Sequence, residues 1–93
     1  MQSLKVTYLV DEGIEKFTST LTPVFFANSL PYIHVNLYKD ETLIYFMDIS
    51  KDTKPLELSF DILGADTFSI ELTYTVSGYN YNSSIAFSDA KFE

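Results

Sequence analysis

The stretch from Leu56 to Val76, LELSFDILGADTFSIELTYTV, decides the fold. Leu56, Leu58, Phe60 and Ile62 alternate with Glu57, Ser59 and Asp61, and the chain then turns through Leu63 to Asp66 at Gly64. Alternation resumes with Phe68, Ile70, Leu72, Tyr74 and Val76. Successive side chains of a strand point to opposite faces, so a period of two on both sides of a turn means two strands.

The same period runs upstream. Leu4, Val6, Tyr8 and Val10 alternate with Lys5, Thr7 and Leu9 until Asp11, Glu12 and Gly13 supply a turn. From Ile14 to Leu21, Phe17, Ser19 and Leu21 share one side, opposite Lys16, Thr18 and Thr20. Pro23 is expected to end this strand and open an irregular segment to Pro31 that carries Val24, Phe25 and Phe26 inward. Ile33, Val35 and Leu37 then alternate with Tyr32, His34, Asn36 and Tyr38, and Lys39, Asp40 and Glu41 form the tip of a hairpin. Its second arm, Leu43 to Ile49, has Ile44 and Phe46 opposite Leu43, Tyr45 and Met47, which predicts a strand covered on both faces.

Downstream, a loop from Ser77 to Ser84 leads to a last strand, Ile85 to Phe92. Its alternation sets Asp89 with Ile85, Phe87 and Lys91, where it bonds backbone amides or gives one oxygen to a calcium ion. Seven strands with no sustained 3.6-residue period predict an all-β fold, an antiparallel β-sandwich of one domain over residues 1–93. Its expected core is Val6, Phe17, Leu21, Val35, Leu37, Tyr45, Leu58, Phe60, Ile70, Leu72 and Phe87.

Composition agrees. Hydrophobic residues make up 46% and aromatics 16%, with eight Phe and seven Tyr, so the core is built from rings and branched aliphatics that favour strands. Cysteine is absent, which excludes disulfides and thiolate metal sites. Six basic against thirteen acidic residues give a formal charge of −7, an acidic protein unsuited to a phosphate backbone or an anionic membrane. Neither nucleic acid nor membrane is an expected partner. His34 is the one imidazole and has no second ligand or nucleophile beside it, so it reads as a surface or packed histidine. Asp40 and Glu41 read as a solvated turn. Carboxylates spread over turns and wet faces offer no facing pair, so no enzyme, catalytic residue, metal ligand or cofactor is expected.

The runs VNLYKDETLIYFMDI, PLELSFDILGADTFSIEL and IAFSDAKFE resemble the second half of the NPCBM family of carbohydrate-binding modules. Asp40 matches the family's acidic hairpin tip, Asp61 to Ala65 its strand and turn, and Phe87, Asp89 and Ala90 its closing strand. YLVDEGIEKFTSTLTP is similar to its beginning, so the resemblance covers roughly residues 6 to 93. Two departures are plain: Phe87 stands where the family commonly has tryptophan, and the usual N-terminal extension with a glycine-rich strand does not precede Leu4. The resemblance implies a galactose-binding-like jelly roll whose end loops hold a sugar, sometimes with a structural calcium ion.

One loop fits that expectation. A sugar site needs a flat ring for the apolar face of a pyranose and amides or carboxylates for its hydroxyls, and Tyr79, Asn80, Tyr81 and Asn82 supply rings and amides together. The same residues also read as a turn whose tyrosines lie across the sandwich end as part of the core. Two functions therefore stand: a non-catalytic carbohydrate-binding-like module, or a protein-interaction or assembly domain without a sugar site. Leu9, Ile44 and Phe46, out of phase with their strands' apolar sides, suggest a homodimer through such a patch or through the Leu4 to Val10 edge.

Overall fold

The computed structural model describes residues 2–25, 32–50, 52–74 and 84–93. It contains β1 (Gln2–Leu9), β2 (Lys16–Phe25), β3 (Ile33–Lys39), β4 (Thr42–Ile49), β5 (Leu56–Asp61), β6 (Thr67–Tyr74) and β7 (Ser84–Phe92). They form a four-stranded sheet in the order β1-β6-β3-β4 and a three-stranded sheet in the order β5-β2-β7. Every pairing is antiparallel. The chain is an all-β, two-sheet sandwich.

Only β3 and β4 are consecutive and paired; every other connection crosses between sheets. Because directions alternate, residues 10–15, 40–41 and 62–66 close one end, the turn end. At the other, the loop end, β2 ends at Phe25, β3 begins at Ile33, β4 ends at Ile49, β5 begins at Leu56, β6 ends at Tyr74 and β7 begins at Ser84.

The turn end is held by backbone chemistry. Asp40 and Glu41 both have positive φ, 48° and 67°, the conformation of a two-residue hairpin turn that matches strand twist. Asp40 Oδ1 accepts the amide hydrogens of Asp66 and Thr67, so this residue fastens the β3–β4 hairpin to the start of β6 and is more than a solvated tip. The Asp61 carboxylate accepts from Leu63 N, and Ala65 N donates to Ile62 O, with Gly64 at φ 82°. This turn lowers Ile62 and Ala65 into the sandwich as a plug.

Phe17 of β2 and Phe68 of β6 lie at the centre of the core, stacked at 4.7 Å, with Phe92 tilted against Phe17 at 5.2 Å. Leu21, Ile33, Val35, Leu37, Ile49 and Leu58 are buried around them. Each fully buried ring or aliphatic chain contributes roughly 1.5–3 kcal/mol by leaving water. Tyr45, Phe60, Ile70, Leu72 and Phe87 pack partly buried against this cluster.

Four sequence expectations are corrected. Val6 is 42% exposed, because the wider sheet extends past the narrower one and leaves β1 at its margin. β4 is covered on one side only: Leu43, Ile44 and Phe46 are exposed. Pro23 does not end β2, which continues to Phe25. There β2 pairs with β7 alone, since its pairing with β5 stops at Leu21 opposite Leu56, and a proline is tolerated at such a one-sided position. Lastly, β7 bulges between Ser88 and Lys91, with Asp89 at φ 53°, while the buried Ser19 hydroxyl donates to Ser88 O at 2.9 Å. The extra residue puts Phe92 on the core side with Phe87 and leaves Asp89 exposed.

Candidate functional site

Alternation along β3 sends Ile33, Val35 and Leu37 into the core and presents His34, Asn36 and Tyr38 on the solvent face of the four-stranded sheet. Register supplies their neighbours. His34 lies between Asp48 of β4 and Thr73 of β6, Asn36 between Phe46 and Glu71, and Tyr38 between Leu43 and Ser69. From β1, Lys5 stands opposite Glu71 and Thr7 opposite Ser69.

These side chains form a connected polar surface. Glu71 Oε1 accepts from Asn36 Nδ2 at 3.1 Å and from the Tyr38 hydroxyl at 2.9 Å. Lys5 Nζ sits 4.6 Å from the centre of the Tyr38 ring, close enough for cation–π attraction. The Thr7 and Ser69 hydroxyls are bonded at 2.9 Å. His34 Nδ1 and Asp48 Oδ1 are hydrogen-bonded, and Tyr32 meets the imidazole edge-on at 4.9 Å. The bond to Glu71 raises the Tyr38 pKa above the usual phenol value, with burial and the Glu71 charge adding to it, so Tyr38 remains a donor.

Beside this network stands Phe46, 70% exposed and directly opposite Asn36. A flat apolar ring flanked by an amide, carboxylates and an imidazole is the combination that covers one face of a pyranose and bonds its hydroxyls. The other sheet's solvent side holds a shallow cleft of about 460 Å³ lined by Thr18, Thr20, Glu57, Ser59 and Lys91 among others, with no aromatic ring in its lining. Among the described residues, no group of three His, Cys, Asp or Glu is placed to hold a metal ion.

Tyr79, Asn80, Tyr81 and Asn82, the residues singled out in the sequence, lie outside the described residues. In sequence, residues 75–83 lie between β6 and β7, and Thr73, the next-to-last residue of β6, is in register with His34. The sheet-face residues Asn36, Phe46, Asp48 and Glu71 were not predicted from sequence. One signal pointed to them: Phe46 is a large apolar residue out of phase with the apolar side of its strand.

No family model matches the chain, and no curated protein matches it. Among solved structures it is similar to the structure of CBM51-2 in complex with GlcNAc and INT domains from Clostridium perfringens ZmpB. The TM-score is 0.71 at 18% identity, covering 95% of this chain. This chain spans 20% of that one, and the likeness is one of β-sandwich fold.

Proposed function

We propose that the chain is a non-catalytic carbohydrate-binding-like module of the NPCBM kind, recognising a sugar through its end loops and the adjoining solvent face of the four-stranded sheet. The observation that carries this reading is the exposed Phe46 ring beside the Asn36–Glu71 and His34–Asp48 hydrogen-bonded pairs. Tyr79, Asn80, Tyr81 and Asn82 complete the site in this proposal, with one tyrosine stacking on the sugar and an asparagine bonding its hydroxyls. The fold shared with a structure that includes a GlcNAc-bound carbohydrate-binding module supports it.

A shallow, open site of this kind binds weakly, in the millimolar to micromolar range, about −4 to −8 kcal/mol. The test is a glycan array followed by calorimetric titration with GlcNAc and galactosides. Saturable heat that disappears in Phe46→Ala or Tyr81→Ala supports the proposal. An empty array together with no heat at millimolar sugar defeats it.

The second reading, a protein-interaction or assembly domain on the same sandwich, is favoured by Leu9 at 86% exposure and Leu43 at 48%. A protein partner would cover such residues.

A further inference from the structure

Among the described strands each sheet has two edges, and three of the four carry features that discourage another strand. β4 bears Asp48 and is itself bulged at Ile44, which has no partner between the Leu37–Tyr45 and Tyr38–Leu43 pairs. β5 carries Glu57 and Asp61 and is preceded by Pro55, and β7 carries Asp89 and two register shifts against β2. Charges, proline and bulges of this kind are how sheet edges avoid pairing. The exception is β1. It pairs with β6 residue by residue from Gln2 to Leu9 without a shift, and contains no acidic residue and no proline in a chain of net charge −7. Its core-side row, Leu4, Val6 and Tyr8, is 60%, 42% and 41% exposed.

We infer that β1 is an assembly edge that pairs antiparallel with β1 of a second copy about a two-fold axis at Val6. Charge and register select this partner. Pairing centred on Lys5 would set Lys5 against its own copy, a like-charge contact, and pairing centred on Thr7 would use only Lys5 to Leu9 of the strand. Pairing centred on Val6 uses Ser3 to Leu9, sets Leu4 against the partner's Tyr8, and sets Lys5 against the partner's Thr7. It also joins the two molecules along their one edge strand that carries no acid, where repulsion between acidic copies is least.

The axis is perpendicular to the sheet, so the product is one continuous sheet in the order β4-β3-β6-β1-β1-β6-β3-β4 with both solvent faces on the same side. The pairing itself is independent of the sugar reading. Its consequence rests on that reading: two Phe46 faces presented together bind a multivalent glycan surface by avidity.

The test uses the complete chain in sedimentation equilibrium from micromolar to millimolar concentration, with Thr7→Glu and Thr7→Lys. Both variants lose the Thr7–Ser69 hydrogen bond, so that cost is common to both. In the Val6-centred register, Thr7→Glu faces the partner's Lys5 twice per dimer and tightens association by about 5-fold at low salt, while Thr7→Lys weakens it by a similar factor. Wild-type amide exchange gives a second readout that needs no variant, with Ser3 to Leu9 becoming more protected as concentration rises. A wild-type monomer at hundreds of micromolar, equal effects of the two Thr7 variants, or concentration-independent exchange in β1 would each overturn the inference. A dimer without sugar binding would leave the pairing standing and remove the sugar reading alone.

Discussion

Asp40 and Thr67 hold each other through two hydrogen bonds: the Asp40 amide donates to Thr67 O at 3.1 Å, and the Asp40 carboxylate accepts from Thr67 N at 3.0 Å. The same carboxylate oxygen accepts from Asp66 N at 2.8 Å. A hairpin within one sheet is thereby tied to the crossover that enters the same sheet from the other.

These bonds act on the charged form of Asp40 and set a pH dependence. The Thr67 amide, then the Asp66 amide, lowers its pKa below the ordinary aspartate value. With the folded value depressed, the stabilisation is present above the unfolded pKa of about 3.9 and is lost as pH falls through the folded value. Urea unfolding of the wild type against Asp40→Asn across acid pH is expected to show a difference at neutral pH that disappears under acid. Asn tolerates the positive φ at this position, so the comparison isolates charge. A constant difference down to the lowest pH would contradict it.

Tyr38 titrates in the opposite sense. Its raised pKa means the unfolded chain ionises first, so stability is full below about 10 and declines as pH rises from there toward the folded value. Glu71→Gln removes the acceptor's charge and is expected to bring the Tyr38 titration down toward that of an ordinary phenol. Ultraviolet titration of tyrosinate measures it, and an unchanged Tyr38 curve in Glu71→Gln would refute the assignment.

Truncation should separate centre from margin. Phe68→Ala removes a fully buried ring stacked on Phe17 and is expected to cost about 3–5 kcal/mol, close to the stability of a small domain. Val6→Ala, on the overhanging strand, should cost less than about 1.5 kcal/mol. Denaturant unfolding that ranks Val6→Ala as the more damaging change would contradict the observed layering.

Phe46→Ala and Tyr81→Ala test the sugar reading against stability. Phe46 is exposed, so its truncation is expected to shift stability by no more than about 0.5 kcal/mol while abolishing sugar binding. For Tyr81→Ala the same pattern is expected. A loss of more than about 2 kcal/mol in Tyr81→Ala would identify that ring as core and withdraw it from the site.

Strand identity and facing were legible because they follow from local geometry. Phe17, Leu21, Val35, Leu37 and Leu58 were expected in the core from a two-residue period alone, and all are buried. A pleated backbone gives that alternation whatever lies across from it. Whether an apolar row is then covered is not local. Leu4, Val6 and Tyr8 alternate as cleanly as Ile33, Val35 and Leu37, yet one row is exposed and the other buried. The four-stranded sheet is wider than its partner, and width is a property of the assembled sheets.

The site divides in the same way. Tyr79 to Asn82 drew attention because rings and amides are adjacent in sequence. Phe46, Asn36 and Glu71 are far apart along the chain and meet only when β4, β3 and β6 pair in register. The β7 bulge is another such case, since one extra residue between Ser88 and Lys91 reverses every face beyond it. Sequence by itself determined that strands form and which residues share a face of each. Tertiary structure decided which faces are covered, which strands are edges and which distant side chains converge, because these depend on register and on how far one sheet extends past the other.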